Sequence, residues 1–350
     1  MKLPAQTYIS NSQPLISSLE LVKVELGLVK KLIDEQLVIQ GSASVLSNSI
    51  SEKSAHRDID KLLESIRNRS GKMIRPGLVL LAGKCFDSIN DEHIRVAASV
   101  EMVHNATLLH DDVIDEGKQR RGKPTINSLW GNESAVLLGD FLLSRVFRLS
   151  AELEPEVLKV IATAAVRLCE GELEQITQRR NWQLSEPEYI DVITAKSAFL
   201  FESCCRLGAV LAGADESKVK MLSQFGLNAG IAFQITDDLL DIIGDEARTG
   251  KTIGSDVNKH KPTLAVIHLL KSVNESQKKI IVDSFLENNN SKHNKKSFID
   301  ILKNNGSLEY AKDQAQKYVS NAIGILDALP QNQAKTALVE TAKFMGDRTS

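Results

Sequence analysis

The chain has 350 residues, 42% of them hydrophobic and 25% charged, with a formal net charge of −2. That is the composition of a globular protein, long enough for one large domain or two ordinary ones. The balanced charge excludes a global basic footprint for nucleic acid, and an aromatic content of 5% argues against a stacking platform for bases.

Residues 1–17 are polar and proline-bearing, which predicts a loose lead-in. Met1-Lys2-Leu3-Pro4 lacks a long apolar run, so no signal peptide is expected. Apolar residues then recur at helical spacing: Leu19, Val22, Leu26, Val29, Ile33 and Leu37. Ser42–Ser54 is serine-rich and fits a loop or a short helix. Ile59–Arg67 is helical again, stopped by Gly71. Pro76 suits the first turn of a helix reaching Phe86. The pattern resumes over about 92–113, 131–150, 155–179, 186–213, 216–243, 262–271, 275–287, 297–305 and 308–346, and Asn288–Lys296 reads as an exposed loop. Strand-like alternation is scarce, and no stretch reaches the length of a membrane span. Cys85, Cys169, Cys204 and Cys205 show no metal-ligand spacing, and the adjacent pair reads as reduced core of a cytoplasmic protein. No composition break divides the chain. The expectation is one all-α domain over residues 1–350, a bundle of long helices with its site built from inward-facing side chains.

Two acidic clusters of the same form stand in apolar helical sequence: Asp111-Asp112-x-x-Asp115 and Asp237-Asp238-x-x-Asp241. Positions i and i+4 share a helix face and i+1 is one step round, so each cluster aims two carboxylates, with a third nearby, at one region. A single such cluster is usually a solvated face. Two copies with basic motifs nearby describe a cage for hard divalent cations, and Mg²⁺ takes oxygen ligands and shares them with substrate phosphates. EF-hand loops are excluded, because their spaced ligands and glycine are absent. The basic motifs are Gly71-Lys72-Met73-Ile74-Arg75-Pro76 beside a helix start, Arg120-Arg121-Gly122-Lys123, Gly250-Lys251-Thr252 and His260-Lys261-Pro262. Guanidinium groups grip phosphate oxygens bidentately, and helix N-termini favour anions. Lys196 stands mid-helix in apolar sequence, where it either snorkels to solvent or needs an anionic partner.

Six strings taken together, GKMIRP, VEMVHNATLLHDDVIDEGKQRRGKPT, LLGDFLLS, GELEQ, AFQITDDLLD and GKTIGSDVNKHKPTLAVI, run in order from Gly71 to Ile267. The chain thereby resembles the trans-type isoprenyl diphosphate synthases of the polyprenyl synthetase family. The resemblance implies the isoprenoid synthase fold, a homodimer, and a Mg²⁺-dependent prenyltransferase for which Mn²⁺ substitutes. Its substrates would be isopentenyl diphosphate and an allylic diphosphate, joined head to tail into an all-trans polyprenyl diphosphate.

The resemblance also implies residue roles. The six aspartates would hold the metal ions that bind the allylic diphosphate. Lys72, Arg75 and His104, with Gly71 in the same motif, would bind the diphosphate of isopentenyl diphosphate, joined by Arg121. Arg120, Lys196, Lys251 and Lys261 would cover the allylic diphosphate. Gln234 and Asp256 match positions near the second motif and its metals, and Ser197 beside Lys196 would join Gln234 in binding substrate. This chain departs from the family's frequent Lys-Thr at Lys196-Ser197 and from its frequent Gly-Lys at His260-Lys261; the latter change is expected to stiffen the loop. Ala106 and Thr107, a turn or so before Asp111, would line the tunnel for the growing chain. Both are small, which predicts a medium- or long-chain product. The competing expectations are a short-chain synthase, closed early by a residue such as Phe141, and a non-catalytic subunit of a heteromeric synthase.

Overall fold

Apolar residues at helical spacing, punctuated by Gly, Pro and Asn, give a chain that is helical almost throughout. The computed structural model describes residues 13–38, 50–67, 71–244, 255–287 and 292–347. The helices of the N-terminal half are α1 (Gln13–Leu19), α2 (Lys23–Gln36), α3 (Ile50–Arg67), α4 (Ile74–Lys84) and α5 (Asp91–Ile114). A two-residue hairpin, β1 (Gln119–Arg120) with β2 (Lys123–Pro124), follows, then α6 (Ile126–Trp130), α7 (Asn132–Ser150) and α8 (Pro155–Thr177). α9 (Glu186–Ile193) runs through a π turn (Thr194–Ala198) into α10 (Phe199–Leu211), followed by α11 (Glu216–Ile243). The rest is α12 (Ser255–Asn258), α13 (Leu264–Ser272), α14 (Glu275–Ile281), α15 (Lys292–Asn304), α16 (Ser307–Ile325) and α17 (Gln333–Gly346).

The helices that position the site are the most buried. Asn90 caps α5, its side chain accepting from the His93 N–H while the His93 ring serves the Asn90 N–H. Val96 to Val103 are then buried around the whole helix, so α5 is a core element rather than an amphipathic surface helix. α4 packs on α5 and α10, and α11 lies along α10 and α16. Phe201 and Phe225, both 0% exposed, fill the space between these helices, each burial contributing about 1.5–3 kcal/mol. A second apolar cluster, with Ile235, Leu239, Leu264, Leu286 and Phe298, sits beyond α11.

Three boundaries differ from expectation. The pattern over 308–346 is two helices: α16 ends in a short tight turn at Leu326–Ala328, and Pro330, which cannot donate to a helix, separates it from α17. The polar stretch read as a loop through Lys296 already belongs to α15 from Lys292, whereas 288–291 lie outside the described residues. The lead-in forms α1 from Gln13, anchored by Leu15 at 2% exposure; residues 1–12, and the part of Ser42–Ser54 before Ile50, are outside the described residues.

Candidate active site

Each acidic cluster closes a long buried helix. Asp111 and Asp112 end α5 and Asp115 caps it, its N–H donating to the Asp111 carbonyl at 2.8 Å. The middle aspartate turns inward. Asp112 is 5% exposed, and its Oδ1 accepts from Arg120 Nε at 2.8 Å and lies 2.8 Å from a second Arg120 nitrogen. The hairpin explains this reach. Its two turn residues, Arg121 (φ 54°) and Gly122 (φ 71°), are both left-handed, the signature of a type I′ turn. Arg120 therefore folds back on Asp112, while the Arg121 guanidinium lies over Gly71, where a Cβ would come within 2.7 Å of it. The turn thus sends the two arginines of one motif to different places and joins the RRG segment to the GKMIRP segment.

Asp115 receives three cations. Arg179 reaches Oδ1 at 3.1 Å, and Lys259 and Lys261 reach Oδ2 at 3.1 and 3.2 Å. Burial alone would raise its pKa, but the two lysines outweigh it and hold the carboxyl below its usual value. Asp111 differs. Burial pushes it up to about 6, against the opposing charge of Lys196 and with the support of nearby Glu172.

The π turn carries Lys196 and Ser197 to opposite sides. Lys196 Nζ pairs with the Glu172 carboxylate and donates to Gln175 Oε1 at 2.8 Å, beside the first cluster. Ser197 Oγ donates to Gln234 Oε1 at 2.6 Å, and Gln234 Nε2 donates to Asp238 Oδ1 at 2.8 Å, inside the second. Neighbouring helices close on this turn. A Cβ at Gly171 would collide with the Lys196 backbone, and one at Gly230 would stand 2.7 Å from Ala198 Cα. Asp238 also accepts from the buried Tyr189 hydroxyl at 2.7 Å. Burial and the neighbouring Asp256 nevertheless lift it to about 7. Asp241 Oδ2 accepts the Asp256 N–H at 2.8 Å, and Lys261, 9% exposed, lies 3.6 Å from Asp256 as well as on Asp115. Lys261 therefore bridges Asp115 of the first cluster to Asp256, whose backbone is held by Asp241 of the second. Burial would lower its pKa, but Asp256 and Asp115 raise it above the ordinary lysine value.

A second basic group stands at the start of α4. Arg75 is half-buried, stacked at 4.3 Å on the Phe201 ring, and its buried Nε has no hydrogen-bond partner among the described residues. Burial lowers its pKa despite the pull of Glu101. Lys72 sits 4.6 Å over the Phe344 ring. His104, half-buried on α5, lies one turn beyond the buried Glu101, and its carbonyl accepts from Thr107 Oγ1 at 2.9 Å. Ala106 is fully buried on α5. Lys251 lies outside the described residues.

Sequence reading missed Glu172, Gln175, Arg179, Tyr189, Lys259 and Glu101. Glu172 and Gln175 stood inside the GELEQ string and Lys259 beside His260-Lys261, so a signal existed for those. Tyr189 and Arg179 carried none, since each meets its aspartate across the fold. Among the described residues no three carboxylate or imidazole groups converge closely enough to hold an ion unaided. No helix among them is long and apolar enough to cross a membrane.

The profile of the polyprenyl synthetase family matches residues 56–302. The chain belongs to that family. This polyprenyl synthetase is 36% identical over 291 residues to octaprenyl diphosphate synthase of Escherichia coli, covering 83% of this chain and 90% of the relative. It is 37% identical over 262 residues to a short chain isoprenyl diphosphate synthase of Methanocaldococcus jannaschii, covering 72% and 79%. Its fold superposes on that of the Caulobacter crescentus polyprenyl synthase complexed with calcium and isoprenyl diphosphate, with a TM-score of 0.86 at 30% identity over 96% of this chain and 98% of that one. It is a prenyltransferase with the all-α isoprenoid synthase fold.

Proposed function

We propose that this polyprenyl synthetase adds isopentenyl diphosphate repeatedly to an allylic diphosphate and releases an all-trans polyprenyl diphosphate of medium or long chain. The observation that carries the reading is the pair of acidic clusters, linked from Asp115 through Lys261 and Asp256 to Asp241, with one set of cations around them and a separate set at Lys72, Arg75 and Arg121. Two anionic substrates need two such sites.

Asp111, Asp112 and Asp115 would hold Mg²⁺, or Mn²⁺ in its place, from one side, and Asp237, Asp238 and Asp241 from the other. When bound, the metal supplies Lewis-acid charge that eases departure of the diphosphate. The donor set fits it. Carboxylate oxygens are the hard ligands Mg²⁺ prefers, and Asp111 and Asp238, which burial holds toward the protonated form, are groups a cation would ionise.

Around this centre Arg120, Lys196 and Lys261, with Ser197 and Gln234, cover the allylic diphosphate, a role that Lys251 shares by its motif. Those of them that rest on carboxylates can move their hydrogen bonds to phosphate oxygens. Gly71, Lys72, Arg75, His104 and Arg121 hold isopentenyl diphosphate, and the unpartnered Nε of Arg75 favours an anion there. These cations stabilise the charge growing on the leaving diphosphate as the allylic C–O bond ionises. The double bond of isopentenyl diphosphate attacks the cation, and a proton is then lost to the departing diphosphate. No protein nucleophile is needed, and the buried thiols of Cys204 and Cys205 are held protonated by burial.

Product length rests on α5. Ala106, Val103, Met102 and Ser99 form one buried stripe leading away from Asp111, each turn about 5.4 Å deeper, and Ala106 and Thr107 put no bulk at its head. Phe141 on α7 meets the Arg145 guanidinium at 4.8 Å. We place the enzyme in the cytoplasm as one domain, and infer a homodimer, for which the exposed Leu137 and Phe147 of α7 offer apolar surface. Incubation with isopentenyl diphosphate and several allylic starters tests the reading: products of seven or more units support it, and a farnesyl product alone favours the short-chain alternative. Ala106→Phe should shorten the products with initial rates largely kept; an unchanged product distribution overturns the tunnel assignment.

A further inference from the structure

Two non-glycine residues with left-handed backbones sit directly behind the cations on Asp115. They are His260 (φ 55°) and Arg180 (φ 64°), and each conformation costs about 1–2 kcal/mol for a residue with a Cβ. The Arg180 N–H donates to the His260 carbonyl at 2.9 Å, so the two strained residues are tied to each other. Their side chains are tied as well. The His260 Nδ1–H donates to the Leu286 carbonyl at 2.7 Å, which leaves Nε2 as the acceptor for the Arg180 guanidinium at 3.1 Å. Arg180 also lies 3.5 Å from Glu287, which accepts the Trp182 indole N–H at 2.8 Å, and the Trp182 ring meets His260 edge-on at 6.4 Å.

The neighbours of this pair are what give it a role. Arg179 precedes Arg180 and reaches one oxygen of Asp115, while Lys259 and Lys261 flank His260 and reach the other. The turn between them is closed by the His260 N–H on the Val257 carbonyl (3.0 Å) and the Lys261 N–H on the Asp256 carbonyl (2.9 Å). Lysine carries about 2 kcal/mol of rotamer entropy, so two of them meet one carboxylate reliably only from a fixed backbone. Strain held in place by its surroundings at such a point is an indication of function.

We propose that the His260–Arg180 pair is a latch, two positioning residues that fix the turns carrying Arg179, Lys259 and Lys261 and thereby set the affinity of the allylic diphosphate site. The inference rests on the substrate reading above. Neither residue touches substrate; both act by preorganising the cations on Asp115, among them Lys261, which the reading above places on the allylic diphosphate.

The test compares the full-length wild type with His260→Gly and Arg180→Ala. Glycine keeps the left-handed backbone without steric cost and removes both imidazole bonds. The KM for the allylic diphosphate, and the calorimetric Kd for inorganic diphosphate with MgCl₂, should rise about tenfold, the scale of one hydrogen bond to a charged group. The KM for isopentenyl diphosphate and the Tm should hold, with kcat within about twofold. The double variant should be no worse than either single one, since the two residues act as a unit. Additive losses, equal losses at both substrates, an unchanged Kd, or a wild type that does not bind inorganic diphosphate each overturn the latch. A wild type that binds inorganic diphosphate with the predicted variant pattern but transfers no prenyl group would instead sink the substrate reading and leave the latch standing.

Discussion

In the first acidic cluster Asp112 and Asp115 meet Arg120, Arg179, Lys259 and Lys261, whereas Asp238 at the heart of the second meets a tyrosine hydroxyl and a glutamine amide. The motif is the same five-residue pattern in both helices, yet the carboxyls are not equivalent acids. Cations close to Asp115 repay its burial and hold its pKa down. Neutral donors repay burial less fully, so Asp238 keeps its proton to about 7. Asp111 shows that proximity alone is not enough. Lys196 is near it, but that lysine is engaged by Glu172 and Gln175, and burial still pushes Asp111 up to about 6. Motif identity fixes which atoms are available; the partners decide which of them arrive ionised.

The largest expected effect tests whether the clusters share one task. Asp111→Ala and Asp237→Ala should each lower steady-state turnover by about two orders of magnitude or more, the scale of losing one key electrostatic stabiliser. A loss confined to one cluster breaks the comparison.

The next effect sharpens it through pH. Asp111 and Asp238 have folded pKa values above their unfolded ones, so the metal-free fold binds extra protons. The stability they contribute is present below the unfolded carboxylate value and is lost as pH rises through about 6 and about 7. Asp115 has the opposite sign: its contribution is present above the unfolded value and lost only in acid. The Tm in chelator should therefore fall between about pH 5 and 8, and MgCl₂ should flatten that fall. A Tm that rises over the same range in chelator would contradict both assignments.

The smallest effect isolates one neutral donor. Tyr189→Phe removes the hydroxyl from Asp238 and should cost about 1 kcal/mol of stability. Because that bond favours the ionised carboxyl, its loss should also shift the acid limb of kcat/KM to higher pH. An unmoved limb with an unchanged Mg²⁺ requirement would take Asp238 out of the titration.

Much of the site is local in sequence and could be read there. Asp111 with Asp115, and Asp237 with Asp241, share a face because one helical turn separates them, and the Gly71–Pro76 motif puts Arg75 in the first turn of α4 with Lys72 just before it. The resemblance assigns Arg120 and Arg121 to different substrates; the left-handed backbones at Arg121 and Gly122 that send the two side chains apart were not legible in the motif. The helix ends were legible where a residue type dictates them. The division at Pro330 was missed because apolar spacing continued past it.

Sequence by itself determined the helical class, the positions of the carboxylates and cations, and the family. All of these follow from periodicities and motifs spanning a few residues. Tertiary structure alone decided the pairings: Lys261 with Asp115 across 146 positions, Arg179 with Asp115 across 64 and Tyr189 with Asp238 across 49. It also decided that glycines on α8 and α11 clasp the π turn between the two clusters. The physical reason is that helix propensity and amphipathic spacing act within a few turns, while the burial and charge that set each carboxyl's protonation come from side chains brought together only when the helices pack.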